Sequence, residues 1–203
     1  MTIVYDNATE QQRSASAATT TFAHVAGAGV KGVLVAFVRA ATTTDNITAV
    51  SYGGTNLVRV NRATDTTTEA GEASWWFAPH TTAGSQNVAY NAGVTGSNIH
   101  VVAITVTGDG TPFVVGQQTK AVDNTASSSV SLTTGYVSGL AFGAIYWGGA
   151  DATTITPGSG SELIHHWDMG AFGSYVHRLT TATTAGTGPL LEFGTSQGSD
   201  ELA

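Results

Sequence analysis

Short runs of Thr, Ser, Val and Ala follow one another along nearly the whole chain, and each run ends at Gly, Asn or Asp. β-Branched residues favour strands, whereas Gly, Asn and Asp favour the turns that join strands. No stretch shows the 3.6-residue apolar period of an amphipathic helix. The pattern therefore predicts an all-β protein with about thirteen or fourteen strands, packed as an antiparallel β-sandwich of two sheets.

The composition is even from end to end, and no segment is typical of a linker between domains. A chain of 203 residues fits one large β-sandwich and is long enough to bury a core. We therefore expect a single domain over residues 1–203. Short flexible termini are expected as well, including about residues 196–203 at the C-terminal end.

Charged side chains are scarce, and the acidic ones outnumber the basic ones. They make up 10% of the residues, and 7 Lys and Arg against 14 Asp and Glu give a formal net charge of −7. A nucleic-acid-binding protein needs a clustered basic surface, but the cations here are scattered between Arg13 and Arg178. The composition therefore argues against a nucleic-acid partner.

The sequence also argues against disulfides and against a membrane partner. It contains no Cys, so it has neither a disulfide framework nor thiolate metal ligands. Its longest apolar run, Val33–Val38, has six residues, whereas a membrane-spanning helix needs about 20. The first residues lack the cationic and apolar regions of a signal peptide. We expect a protein that is made in a cytoplasm.

Several segments predict how the strands pack. Val33–Val38 is continuously apolar, as in a strand that is covered on both faces. Gly53-Gly54 lies between two apolar segments and predicts a tight hairpin. In Ser138–Trp147 small residues alternate with large ones, which favours the close approach of another sheet or chain. Asp6–Ser16 is mostly polar and is predicted to be a loop.

The densest cluster of polar and aromatic residues is His165-His166-Trp167-Asp168. Neighbouring residues of a strand point to opposite faces, so His165 and His166 reach one ligand only if a bulge intervenes. His166 and Asp168 share a face and could begin a Zn²⁺ site, but such a site needs at least one more ligand. We expect no metal or other cofactor, and we interpret His165, His166 and Asp168 as hydrogen-bonded residues of a surface or an interface.

Trp75-Trp76-Phe77 and Trp147 are the aromatic candidates for a binding surface. Strand alternation places Trp75 and Phe77 on one face and Trp76 on the other. In a two-layer fold one of these faces belongs to the core. We therefore expect Trp75 and Phe77 to be buried and Trp76 to be partly exposed, or the reverse. Trp147, at a strand end beside two glycines, is the better candidate for an exposed aromatic ring.

One short motif suggests catalysis. Gly194-Thr195-Ser196-Gln197-Gly198 matches G-x-S-x-G, the nucleophile elbow of α/β-hydrolases. That mechanism needs a helix after the motif, and an acid and a His further along the chain. The sequence ends five residues later and no His follows. We therefore expect a terminal loop here, no catalytic residue and no enzyme activity.

Four blocks of the sequence, taken in order, resemble a known kind of β-sandwich module. Val50–Arg59 reads VSYGGTNLVR, and Glu72–Pro79 contains two Trp, one Phe and a closing Pro. Gly84–Val88 and Val102–Pro112 follow. This order is similar to that of jelly-roll-like modules in tailed-bacteriophage structural proteins and related bacterial surface proteins, over about residues 18–195. In longer relatives the module is one domain of a tail fibre or adhesin, whereas this chain contains little besides the module.

The resemblance implies a non-enzymatic structural protein of a bacteriophage virion, in the first place a capsid decoration (cement) protein that stabilises the shell. It implies as partners the major capsid protein or tail proteins, and further copies in a homo-oligomer, with a trimer favoured. The alternative it implies is a tail-associated module that attaches to host carbohydrates. Both readings place the protein in the virion, at the capsid surface or in the tail.

Overall fold

The computed structural model describes residues 2–13, 19–40, 45, 47–65, 71–93, 98–110, 112, 120–122, 127–131, 139–148, 155–168, 172–180, 190–195 and 199–202. Within these ranges the chain forms strands and no helix. The strands are β1 (Ile3–Arg13), β2 (Thr19–Ala26), β3 (Val30–Ala40), β4 (Ala49–Tyr52), β5 (Thr55–Asn56), β6 (Val58–Asp65), β7 (Gly71–Pro79), β8 (Gly84–Asn91), β9 (Ile99–Gly108), β10 (Lys120–Val122), β11 (Ser127–Ser131), β12 (Phe142–Gly148), β13 (Ile155–Pro157), β14 (Ser161–Asp168), β15 (Phe172–Leu179), β16 (Leu190–Thr195) and β17 (Ser199–Leu202).

These strands form four antiparallel sheets. Sheet A has the order β1-β9-β3-β7-β6, sheet B the order β2-β8-β4-β5, sheet C the order β10-β17-β12-β15-β14 and sheet D the order β11-β16-β13. The predicted all-β class and antiparallel sandwich are confirmed. The jelly-roll connectivity stays a prediction. No helix in the described ranges is long and apolar enough to cross a membrane.

Sheet A is the central layer, because it is packed on both faces. On one face, side chains of β3 such as Val33, Val35 and Phe37 join a core with residues of sheet B. On the other face, the alternate side chains Ala36 and Val38 join a second core with residues of sheet C. Sheet B contributes Val50, Tyr52, Val88 and Tyr90, and sheet C contributes Ala144, Tyr146 and Val176. The prediction that Val33–Val38 is covered on both faces is confirmed, and the sandwich gains a third layer.

The two adjacent tryptophans of β7 lie in different cores. Trp75 packs towards sheet C and Trp76 towards sheet B, with only 4% and 7% of their surfaces exposed. The prediction that one of the two faces is exposed is therefore wrong. It assumed two layers, whereas sheet A lies between two others. Phe77, on the same face as Trp75, is half-buried.

The hairpin predicted at Gly53-Gly54 is confirmed. β4 and β5 pair through Tyr52 and Thr55, and the two glycines between them have φ angles of 54° and 82°. Positive φ at both central positions is the backbone of a type I′ turn, which glycine adopts without a steric penalty. The turn places the ring of Tyr52 in the core between sheets A and B.

The first strand is longer than its sequence predicts. Asp6–Ser16 was expected to be a loop, but β1 continues to Arg13 and pairs with β9 along its length. The register shifts between Tyr5 and Asn7, which marks a bulge at Asp6. The prediction was wrong because the polar side chains of β1 find buried partners in the neighbouring strands.

Two further differences concern the end of the chain and the small residues of β12. Ser199–Leu202, expected to be flexible, forms β17 between β10 and β12. Gly143 is paired with His177, and a Cβ atom at this glycine would overlap the imidazole ring. The small face of β12 therefore admits a ring from the adjacent strand β15.

One ion-pair group is buried within sheet A, on the face towards sheet B. Glu72 lies opposite Arg39 in the β3–β7 pair, with 1% and 0% of their side chains exposed. Its two carboxylate oxygens contact Arg39 Nη1 at 3.2 Å and Arg62 Nη2 at 2.7 Å. Removing one partner of such a group leaves an uncompensated buried charge, at a cost of about 3–5 kcal/mol. The group therefore fixes the pairing of β3, β7 and β6.

Two buried histidines make the fold sensitive to acid. Burial lowers the pKa of both His24 and His177 to about 4, well below 6.5. The unfolded chain therefore binds more protons than the folded one between these values. We predict that the free energy of unfolding is highest above pH 6.5 and falls as the pH drops to 4, by up to about 3 kcal/mol for each histidine. Urea unfolding at a series of pH values measures this change.

The matched variants are His24→Gln and His166→Gln, which remove a buried and an exposed imidazole. His24→Gln is expected to reduce the slope of stability against pH in this window, and His166→Gln gives the comparison for a histidine on the surface. Equal slopes for wild type and His24→Gln would show that this histidine is not buried in its neutral form.

Candidate functional site

A serine, a histidine and a glutamate are joined by hydrogen bonds where sheets A and C meet. His100 lies on β9, is 0% exposed and faces sheet C. Its Nε2 atom is 2.8 Å from Oε2 of Glu10 on the neighbouring strand β1. Its Nδ1 atom contacts Oγ of Ser174 on β15, which is also 0% exposed. We call Glu10, His100 and Ser174 the inter-sheet triad.

The hydrogen-bond directions in the inter-sheet triad follow from its chemistry. An ionised carboxylate only accepts hydrogen bonds. Nε2 of His100 therefore carries the ring hydrogen and donates a hydrogen bond to Glu10. In a neutral imidazole the other nitrogen is then an acceptor. The hydroxyl of Ser174 therefore donates to Nδ1 of His100. One polar chain thus runs from the carboxylate in sheet A to the hydroxyl in sheet C.

The pKa values agree with this arrangement. The hydrogen bond from His100 holds the pKa of Glu10 below its ordinary value, against a smaller opposing effect of burial. Burial lowers the pKa of His100, and the neighbouring Glu10 carboxylate opposes that effect. At neutral pH the triad therefore contains a charged carboxylate and a neutral imidazole.

The same three residue types form the catalytic triad of serine hydrolases, in which a base receives the serine proton and an acid orients the base. Here the ring is turned, because Ser174 is bonded to Nδ1 and Glu10 to Nε2. Ser174 and His100 are both 0% exposed, so a substrate has no route to the hydroxyl. The arrangement supports the attachment of sheet C to sheet A rather than nucleophilic catalysis.

β14 brings the predicted histidines to the same region. The register of β14 with β15 shifts between Leu163 and His165, so this bulge lies before the two histidines and does not bring them to one face. His165 faces sheet A, with Nδ1 at 3.7 Å from Oε2 of Glu10. His166 lies opposite Tyr175 and stacks on its ring, with centroids 5.9 Å apart and planes at 9°. The two histidines therefore serve opposite faces.

The other predicted site residues are distributed differently. Asp168 is exposed at the end of β14, on the same face as His166. Trp76 is buried, with the guanidinium of Arg59 5.6 Å from its ring centroid. Trp147 belongs to β12, and its side chain lies outside the described part of the structure, as does Ser196 of the G-x-S-x-G motif. The described residues contain no group of three His, Cys, Asp or Glu side chains that could hold a metal ion.

A second polar chain lies on the opposite face of sheet A. Asp6 Oδ2 accepts hydrogen bonds from the backbone N–H of Gly27 and from Oγ1 of Thr105, each at 2.7 Å. Nε2 of His24 is 3.2 Å from the same Thr105 oxygen, and its Nδ1 is 2.9 Å from Oγ1 of Thr9. This chain attaches β2 of sheet B to β1 and β9 of sheet A, as the inter-sheet triad does for sheet C.

The sequence did not indicate either polar chain. His100 and Ser174 lie 74 positions apart, and neither is part of a recognisable motif. Glu10 and Asp6 were assigned to a loop. The available signal was a lone histidine within a mostly apolar segment, His100 in β9. A buried imidazole needs hydrogen-bond partners, so such a residue indicates a polar contact inside the fold.

Comparisons with known proteins do not place the chain in a family. No family model, no curated protein and no solved structure matches it.

We predict that Ser174→Ala destabilises the protein by about 1–3 kcal/mol, because it leaves Nδ1 of buried His100 without its donor. The matched control is Ser85→Ala at an exposed position of β8, expected to change stability by less than about 0.5 kcal/mol. Urea unfolding measures both. If Ser174→Ala is as stable as Ser85→Ala, the triad does not attach sheet C to sheet A.

Proposed function

We propose that this protein is a non-enzymatic structural protein of a bacteriophage virion, a capsid decoration protein that assembles as a homo-oligomer. The observation that carries the proposal is that polar side chains inside the fold form contacts with one another. The inter-sheet triad, the Asp6–His24 chain and the Glu72 ion pairs each join strands or sheets. A body built in this way offers a rigid surface for binding rather than an accessible reaction centre.

The surface composition supports the same function. Charged residues make up 10% of the chain, and the exposed strand positions in the described ranges include several Thr, Ser and Asn side chains together with Val4, Val25 and Val58. A polar surface with few charged groups can be covered by a partner at a smaller desolvation cost than a highly charged one. Many weak contacts of this kind become strong when several linked copies bind together, as a decoration protein requires.

The alternative function, attachment to host carbohydrates, has one observation in its favour. His166 and Asp168 are exposed on the same face of β14, and the ring of His166 stacks on that of Tyr175. Polar groups next to an aromatic ring are a common arrangement for binding small polar ligands. Trp76 is buried and cannot stack on a sugar ring at the surface. Glycan binding that is lost in both His166→Ala and Asp168→Ala would favour it over decoration.

We expect the protein to be abundant in phage particles. Particles from a lysate of the strain that carries the gene are purified by density gradient, and the protein is quantified by mass spectrometry. A decoration protein is expected in numbers comparable to those of the major capsid protein. Particles produced after deletion of the gene are expected to lose DNA at a lower temperature than wild-type particles. Absence from particles, or a few copies confined to the tail, would contradict the decoration function.

A further inference from the structure

The edge strands of sheets A, B and C differ in how they are protected. An open edge exposes backbone N–H and C=O groups that can pair with another strand, and proteins block such edges with charges, prolines, bulges or short strands. β1, β6 and β14 each contain a register shift. Each of them also contains at least two charged residues. The edge strands β5 and β10 have only two and three residues.

β2 is an edge strand without any of these features. Its sequence, TTTFAHVA, contains no charged residue and no proline. It pairs with β8 over eight consecutive residues with no shift of register. The other strands of sheet B, β4, β5 and β8, also contain no charged residue. In a chain with a formal net charge of −7, sheet B is thus an uncharged region.

Hydrogen bonds on the far side of β8 show where the backbone of β2 points. The carbonyls of Asn87 and Asn91 accept from Gly53 N at 3.0 Å and Thr48 N at 3.1 Å, on the side of β4. In an antiparallel pair, residues whose backbone groups bond to the opposite strand alternate with residues whose backbone groups point away from it. Ala23 and Thr19, opposite these two asparagines, therefore direct their N–H and C=O groups away from β8.

The same alternation places Thr21 and Val25 on the open side of β2. A side chain confirms the direction, because Asn7 Nδ2 donates to the carbonyl of Val25 at 3.0 Å. That contact occupies the end of the edge at Val25. No described residue pairs with the backbone groups of Thr19, Thr21 and Ala23, which form an outward-facing row on exposed positions of β2.

We infer that a second copy of this chain pairs with β2 in antiparallel orientation through Thr19–Ala23, so that the two B sheets form one continuous sheet. An antiparallel pair of identical strands is self-complementary about a two-fold axis. With Val25 occupied, the row is symmetric about Thr21, which therefore lies opposite its own counterpart. Thr19 then lies opposite Ala23 of the second copy.

Charge and burial favour a second copy as the occupant. Two copies that each carry −7 repel at most surfaces, but the uncharged strands of sheet B bring no like charges together. Phe22 lies on this edge, packed against the core between sheets A and B but only half-buried. A second strand alongside β2 covers the remaining surface of its ring. This pairing is independent of whether the protein decorates a capsid, since it concerns two copies in solution.

The experiment compares two lysine substitutions in the same cross-strand row. Thr21 and Ala89 lie opposite each other on β2 and β8, and both side chains point to the outer face of sheet B. Thr21→Lys places two lysines opposite each other at the two-fold axis and should weaken association by about tenfold or more. Ala89→Lys changes the charge of the face equally but leaves the edge open. Thr21→Pro removes the central N–H, which bonds to none of the described residues of its own copy, and should abolish pairing.

Sedimentation equilibrium of the full chain over a wide concentration range gives the mass of the assembly. The wild type is expected to contain an even number of copies: two, or six if trimers also form. Thr21→Pro is expected to halve that mass, and Ala89→Lys to leave it unchanged. A wild-type mass of one or three copies, or a mass that Thr21→Pro leaves unchanged, would overturn the inference. Loss of association in Ala89→Lys would overturn it in favour of face-to-face docking. Circular dichroism and urea unfolding of each variant confirm that it is folded.

Discussion

The burial of sheet A on both faces is the constraint on which the rest of this structure depends. A strand in a central layer has no solvent-facing side, so polar groups on either face must find partners within the protein. Apolar residues occupy most positions of β3 and β9. The fully buried polar residues of these two strands are engaged: Arg39 with Glu72, His100 with Glu10 and Ser174, and Thr105 with Asp6 and His24.

These internal contacts also explain how the layers are attached to each other. Hydrophobic burial holds sheets together but is not directional, so it does not by itself fix their alignment. The hydrogen bonds from Ser174 to His100 and from His24 to Thr105 are directional, and one lies on each side of sheet A. In both cases the third partner is a carboxylate of β1, Glu10 or Asp6. β1 is thus the strand whose side chains serve both interfaces.

Local patterns in the sequence were sufficient to predict local features. The continuous apolar run of β3 and the two glycines after Tyr52 were interpreted correctly, since each depends on neighbours in the chain. The strand from Asp6 to Arg13 was not predicted, because its polar residues are stabilised by partners far away in the sequence. The burial of Trp76 was missed for a related reason: the number of layers is not encoded in the alternation of one strand. The candidate site was likewise predictable only where it depends on neighbours in the chain. His165 and His166 were recognised as a cluster, but their relation to Glu10 and Tyr175 depends on the bulge and on sheet packing.

Native-state hydrogen exchange tests the central position of sheet A most directly. If sheet A is covered on both faces, the paired amides of β3, β7 and β9 exchange only through global unfolding, and their exchange free energies equal the free energy of unfolding. Amides of the outer strands β2 and β14 are expected to exchange through smaller local openings. Exchange in β3 and β9 as fast as in β2 and β14 would contradict a buried central layer.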